Sequence, residues 1–158
     1  MRVKSLITVN PLAPNVIGGL RDFDYLCQNF LLMNDDIKKK LADDPDGLLT
    51  YEYIANNITT CQECIEFLVD NMINVDHSGQ FISSAARYLS AIDPVAFETP
   101  IRRLVAAAID KDREHRYLPA LMEGIYGADY REKAAELRLT DDNFRRLEKR
   151  INSDPQKI

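Results

Sequence analysis

The sequence predicts an all-α protein, an irregular bundle of six to eight helices. Three observations lead there. Apolar residues recur near i, i+3, i+4 spacing through most of the chain. Residues of the Ser/Thr/Asp type stand ahead of these stretches, two of them followed by proline. Glycine is scarce, six in 158 residues, which disfavours a β-rich fold with many tight turns and leaves no glycine-rich phosphate loop. With 46% hydrophobic and 28% charged residues the chain is globular, and it is long enough for one domain with a sizeable core.

Taken in order, VKSLITV (3–9) is rich in β-branched residues and reads as a short strand or extended arm. NPLAPNVIGG then breaks structure with two prolines and a glycine pair. Residues 1–19 are thus an arm, 20–126 a helical bundle, 127–153 a hairpin of two short helices and 154–158 a frayed tail. From Asp22, Phe23, Leu26, Cys27, Phe30, Leu31 and Met33 keep helical spacing, and the lysines at 38–40 suit a helix C-terminus before DDPDG (43–47) ends it. LLTYEYIANN (48–57) is a short helix. Thr60 and Glu63 make a capping box for a helix to about Val75. Ser78 caps the next, in which Ser84, Ala85 and Ala86 permit close helix approach. Asp93-Pro94 and Thr99-Pro100 each place a cap before a proline, the second opening IRRLVAAAID. YLPALMEGIY either starts or kinks at Pro119 and stops at Gly127. Asp129 caps YREKAAEL and Thr140 caps DDNFRRLEKRI. No repeat with a period of 20–50 residues is evident.

The net charge of −5 is uneven. Residues 1–100 carry 7 Lys/Arg and 14 Asp/Glu, net −7; residues 101–158 carry 13 and 11, net +2. That asymmetry is expected where only the C-terminal end meets a polyanion, with the acidic first part left for a protein partner or for homo-oligomer contacts. No apolar run approaches the ~20 residues that span a bilayer. The N-terminal stretch has no signal-like apolar segment either, so no membrane contact and a cytoplasmic location are expected.

Three cysteines fit reduced thiols better than a disulfide framework. Cys61 and Cys64 stand at C-x-x-C spacing, where thiolates chelate zinc or cycle as a redox pair. Zinc needs two further ligands, from Cys27, His77 or His115, and a redox pair wants a βαβ setting, so both are expected to be ordinary core cysteines and neither metal nor cofactor is expected. No Ser/His/Asp set, HExxH or paired-carboxylate signature appears, and DDPDG lacks the ligand spacing of an EF-hand; the chain reads as a non-enzyme. Met33 and Met72 on amphipathic faces, and Tyr51 and Tyr53, are candidate partner contacts.

The segment GADYREKAAELRLTDDNFRRLEKRI (127–151) carries the sharpest signal. Ala134 is the small residue a helix crossing needs. Tyr130, Leu137, Leu139, Phe144, Leu147 and Ile151 supply a shared core. The second helix would face outward with Asn143, Arg145, Arg146, Lys149 and Arg150, the residue types that meet base edges and phosphates. Gly127, Tyr130, Glu132, Ala134, Leu137, Leu139, Thr140, Phe144, Arg145 and Arg150 fall in step with a known pattern. On these residues the segment resembles the helix-turn-helix of sigma-70 region 4 and related response-regulator DNA-binding domains. The resemblance implies duplex DNA as partner of 129–151, with the four cations on phosphates and Asn143 on a base. The family's turn glycine is replaced by Arg138, which would need a positive φ or a different turn. The sequence thus leads first to a non-enzymatic DNA-binding or transcription-associated protein. The alternative is a helical interaction or assembly module (adaptor, inhibitor or immunity protein, phage or mobile-element component) whose C-terminal hairpin only closes the bundle.

Overall fold

Eight α-helices succeed one another along residues 33–153, the part of the chain that the computed structural model describes: α1 Asp35–Ala42, α2 Leu48–Asn56, α3 Ile65–Val75, α4 Gln80–Ile92, α5 Glu98–Lys111, α6 Leu118–Tyr126, α7 Ala134–Thr140 and α8 Asp142–Asn152. No strand occurs among the described residues, so the all-α expectation holds. The expected arm, the helical turns between Asp22 and Leu31, Cys27 and the tail from 154 lie outside the described residues.

Several boundaries differ from the sequence pattern, each because another group takes over a cap. The expected run through Met33 and the lysines is broken at Asn34, whose side chain accepts from Asp36 N at 2.9 Å and starts α1 afresh. Thr60 does not cap: its hydroxyl donates to Asn57 O, and a single 3₁₀ turn, Gln62–Cys64, precedes α3. Asp93 accepts from Val95 N and Ala96 N and holds a turn, not a helix start. Phe97, not Thr99, is the N-cap of α5, so Pro100 is the third residue of the first turn, where the missing N–H costs nothing. Pro119 lies in the first turn of α6 and Gly127, φ +86°, ends it, without a kink.

A repeated device, not evident in the sequence, organises the first three helical hairpins. Asp44, Asp76 and Asp112 follow α1, α3 and α5 and are all buried. Three residues beyond each stands a residue with positive φ: Gly47 (+98°), Gly79 (+82°) and His115 (+54°). Six residues beyond each, a backbone N–H donates to Oδ2 of the aspartate: Thr50 N at 2.8 Å, Ile82 N at 2.9 Å and Leu118 N at 3.1 Å. Each carboxylate thereby turns the chain and caps α2, α4 or α6 in one stroke. Ser78, expected as a cap, accepts from Gln80 N but itself donates to Asp76.

The loops also stack. A Cβ on Gly47 would meet Asp76 Cβ at 3.0 Å, and one on Gly79 would meet Asp112 N at 3.2 Å, so each turn glycine abuts the aspartate of the following loop. Asn71 Nδ2 donates to Leu41 O and Thr50 Oγ1, and Lys111 Nζ donates to Ile73 O and Asp76 O, which ties successive hairpins together. The helices follow suit. The second helices α2, α4, α6 and α8 pack in a row, the first helices α1, α3 and α5 in another, and α4 makes its most extensive contact with α5. Ser83, Ala85 and Ala86 are buried on α4, the close approach the small residues predicted, although Ser84 remains half-exposed. The core is continuous along this stack, from Ile54, Leu68 and Met72 through Ile82, Leu89 and Leu104 to Leu118, Leu121, Phe144 and Leu147. Met33 and Met72 belong to it and are not surface contacts.

Candidate functional site

The C-terminal hairpin is placed by its apolar side. Phe144 and Leu147 are fully buried against α5 and α6, with Tyr126 edge-on to Phe144 at 5.0 Å and Tyr130 at 6.3 Å. Burial of two such side chains contributes roughly 3–6 kcal/mol to holding α8 in the stack. Ala134 is buried and Leu137, Tyr130 and Ile151 are partly so, as the pattern requires, but Leu139 is 85% exposed. Asp129 does not cap a helix; it pairs with Lys133 at 2.6 Å, residues 128–133 form turns and α7 starts only at Ala134.

The link between α7 and α8 is one extended residue, Asp141, φ −127° and ψ 113°. Asp141, not Thr140, is the cap and accepts from Phe144 N at 3.1 Å; Thr140 ends α7 and donates to Glu136 O. Arg138 lies inside α7 with no positive φ. The turn has moved three residues past the position of the family's glycine, and it is shorter than the three or four residues that join the helices of a helix-turn-helix.

Each predicted contact residue of α8 can be located. Asn143 Nδ2 donates to Arg102 O on α5 at 3.0 Å, so its amide is already engaged. Arg145 pairs with Asp142 at 2.7 Å and Arg146 with Asp110 on α5 at 3.0 Å. Arg138 and Glu148 form a two-pronged pair at 2.6 and 2.7 Å that locks α7 to α8 and holds the Glu148 carboxyl below its ordinary pKa. Lys149 is exposed, and neither it nor Arg150 has an ion-pair partner among the described residues. Arg150 Nε is buried without a hydrogen-bond partner among the described residues. Arg146, Lys149 and Arg150 come together with Ile109, Asp110 and Ser153 around an open cleft of about 440 Å³, where the C-terminal ends of α5 and α8 meet. The solvent-facing stripe of α8 is Asp142, Arg145, Lys149 and Asn152.

A second cleft, about 370 Å³, lies across the row of second helices. It is lined by Tyr51 of α2, Ser84, Arg87, Tyr88 and Ala91 of α4, and Gly124 of α6. Gly124 lets α6 approach so closely that a Cβ there would stand 2.6 Å from Arg87 Cγ. Arg87 is exposed and makes no ion pair among the described residues. Tyr51 and Tyr53, expected to be exposed anchors, are half-buried. The Tyr51 ring lies tilted against Phe81 and edge-on to Tyr88, both at 6.3 Å, and burial raises the Tyr53 phenol pKa. Arg87, Ser84 and Gly124 were missed because nothing in their local pattern separates them from ordinary helix residues; only the stacking of three helices brings them together.

Cys61 is buried, and burial followed by the nearby Cys64 thiol pushes its pKa up to about 11. Burial likewise raises that of Cys64, whose Sγ donates to Cys61 O. Thiols held this way are poor nucleophiles and poor thiolate ligands at neutral pH. No group of three or more His, Cys, Asp or Glu among the described residues is arranged to hold a metal ion. No helix among them is long and apolar enough to cross a membrane. The chain matches no protein-family model, no curated protein and no solved structure, so the likeness of 127–151 to a helix-turn-helix rests on its sequence pattern alone.

Proposed function

We propose that this chain is a non-enzymatic, cytoplasmic protein-interaction module, in which stacked helical hairpins present the row of second helices to a partner. One observation carries the reading: the cleft across α2, α4 and α6, with two tyrosines, a serine and an unpaired Arg87 on its walls. Tyrosine and arginine are the side chains on which protein interfaces most often turn, and stacked helical hairpins create extended surfaces of this kind. The uncompensated guanidinium asks for a carboxylate, so the partner segment carries an Asp or Glu beside an apolar residue. The C-terminal hairpin then ends the stack. Its inner face is apolar and its outer face charged, as a terminal unit of a repeat array requires.

A second reading keeps duplex DNA as the partner of 129–151 and is favoured by one observation, the outward Arg145 and Lys149 with Arg150 beside them. The two separate in a paired experiment. Duplex binding is followed by fluorescence anisotropy at low and moderate salt, and partner capture is followed with the same preparations, using Arg87→Glu and Arg145→Glu/Lys149→Glu. Interaction through the ladder predicts a captured partner lost on Arg87→Glu and kept in the α8 variant, with no salt-sensitive duplex binding. Steeply salt-dependent duplex binding that disappears only in the α8 variant would replace the first reading by the second.

A further inference from the structure

We propose that the cleft between the ends of α5 and α8 is a binding site for a phosphate dianion, free or as a monoester, held by Arg146, Lys149 and Arg150. The site is separate from the helix ladder and does not rest on the interaction reading.

Three cations and one carboxylate, Asp110, leave a side-chain charge of +2 around a cleft of about 440 Å³. The C-terminal dipoles of α5 and α8 together offset about one unit of it, which leaves the cleft net positive. Arg146 already shares its charge with Asp110 at 3.0 Å, which fixes its guanidinium at the rim. Lys149 and Arg150 have no ion-pair partner among the described residues. Most telling is Arg150 Nε, a buried donor without an acceptor among the described residues. Such a group carries a desolvation cost, larger when charged, which an anion that draws the side chain towards itself would offset. The apolar wall is Ile109. A guanidinium fork, a lysine and a second arginine around one small space match the tetrahedral oxygens of a phosphate dianion.

A compact dianion fits better than a nucleic-acid strand. The three cations line one short cleft at the end of α8, with Asp110 among them, and Asp142, paired with Arg145, stands at the other end of that helix. Those carboxylates would repel the next phosphates of a continuous backbone. The ligand is either free phosphate or a phosphorylated side chain on a partner.

The test is a titration of the whole protein, observed by ¹H–¹⁵N spectra that include arginine Nε–H signals. The probes are inorganic phosphate, O-phosphoserine, a short phosphoserine peptide, the unphosphorylated peptide and sodium chloride at matched ionic strength. The expected result is a saturable shift of the Arg150 Nε–H and of the Arg146, Lys149 and Ser153 amides with the phosphate probes only. Lys149→Glu, an exposed change that leaves the fold intact, weakens it about tenfold or more, given the worth of charge-assisted bonds. The peptide binding more tightly than inorganic phosphate identifies a phosphorylated partner; equal affinities identify the free anion as ligand. Shifts matched by chloride, shifts that persist in Lys149→Glu, or saturation by duplex DNA but not by phosphate or phosphopeptide would each overturn the proposal.

Discussion

The inner hairpins and the last one solve the same problem, a reversal between two helices, with an aspartate, yet they solve it differently. Asp76 is fully buried. Its Oδ1 accepts from Ser78 N, Ser78 Oγ and Gly79 N, and its Oδ2 from Phe81 N and Ile82 N. Asp141 is half-exposed, accepts from Phe144 N and stands 3.9 Å from Arg102. Water can reach Asp141, whose donors are Phe144 N and the Tyr126 hydroxyl, but not Gly79 N and Ile82 N, which Asp76 satisfies inside the stack. The same residue type therefore carries very different weight, set by whether the groups it satisfies lie inside the stack. Ion pairs repeat the contrast less sharply. Arg103 joins α5 to both Glu66 and Asp70 on α3, whereas Arg145–Asp142 stays within α8. All of these are solvent-exposed and contribute only about 0–1 kcal/mol each.

The largest expected effect follows from the buried acceptor. Asp76→Ala strands several backbone donors at once and is expected to cost ~3 kcal/mol or more in urea unfolding, against ~1 kcal/mol for the half-exposed cap in Asp141→Ala. Equal losses would remove the distinction between the two links. Next come the positive-φ residues. Gly79→Ala is expected to lose ~1–2 kcal/mol, because a Cβ is strained at φ +82° and meets Asp112 N at 3.2 Å. His115→Gly should go the other way and gain up to ~1 kcal/mol, since His115 alone among the described non-glycine residues holds a positive φ. A loss there would mean that the third loop is held by its imidazole and is not a copy of the first two.

Acid titration sharpens the same comparison. Burial opposes ionisation of Asp44, but Thr50 N and Oγ1, Gly47 N and Asp46 N outweigh it and lower its pKa below 3.8. A depressed carboxyl gives stability that is complete above its ordinary unfolded pKa and is lost as pH falls through the folded value. Stability should therefore drop below about pH 4, and Asp44→Asn should flatten that drop while lowering stability at neutral pH. Glu148 is also depressed, first by its bond to Arg138, but the pair is exposed, so Glu148→Gln should leave the acid limb nearly unchanged.

The helices themselves were legible because amphipathic spacing follows directly from burial on one face, as at Leu68 and Met72 or at Phe144 and Leu147. The caps were not, because a cap is a competition. Thr60, Ser78 and Thr140 all have the right side chain, and each lost the position to a neighbour or turned to another acceptor. The stacking was hidden for a different reason. Its only shared marks are an aspartate and a left-handed residue three places on, with histidine in place of glycine in the third copy, at intervals of 32 and 36 residues. The basic face of α8 was visible, but the engagement of Asn143 with Arg102 and of Arg146 with Asp110 depends on how α8 docks, which no local pattern encodes.

Leu139→Ala is the smallest expected effect and tests the placement of the last hairpin. The helix-turn-helix pattern puts Leu139 in the shared core, beyond a turn near Arg138. In the structure α7 continues to Thr140, turns Ala134 and Leu137 inward, and leaves Leu139 85% exposed. Removing an exposed side chain from a helix should change stability by no more than ~0.5 kcal/mol, and alanine's helix propensity offsets part of that. Leu147→Ala, deep in the same hairpin, should cost ~2–5 kcal/mol. A loss above ~2 kcal/mol at Leu139, of the size core leucines show, would require α7 to be rolled by about half a turn. Arg138 would then return to the turn, the link to α8 would lengthen towards that of a helix-turn-helix, and the case for duplex contact would strengthen at the expense of the terminal-cap role.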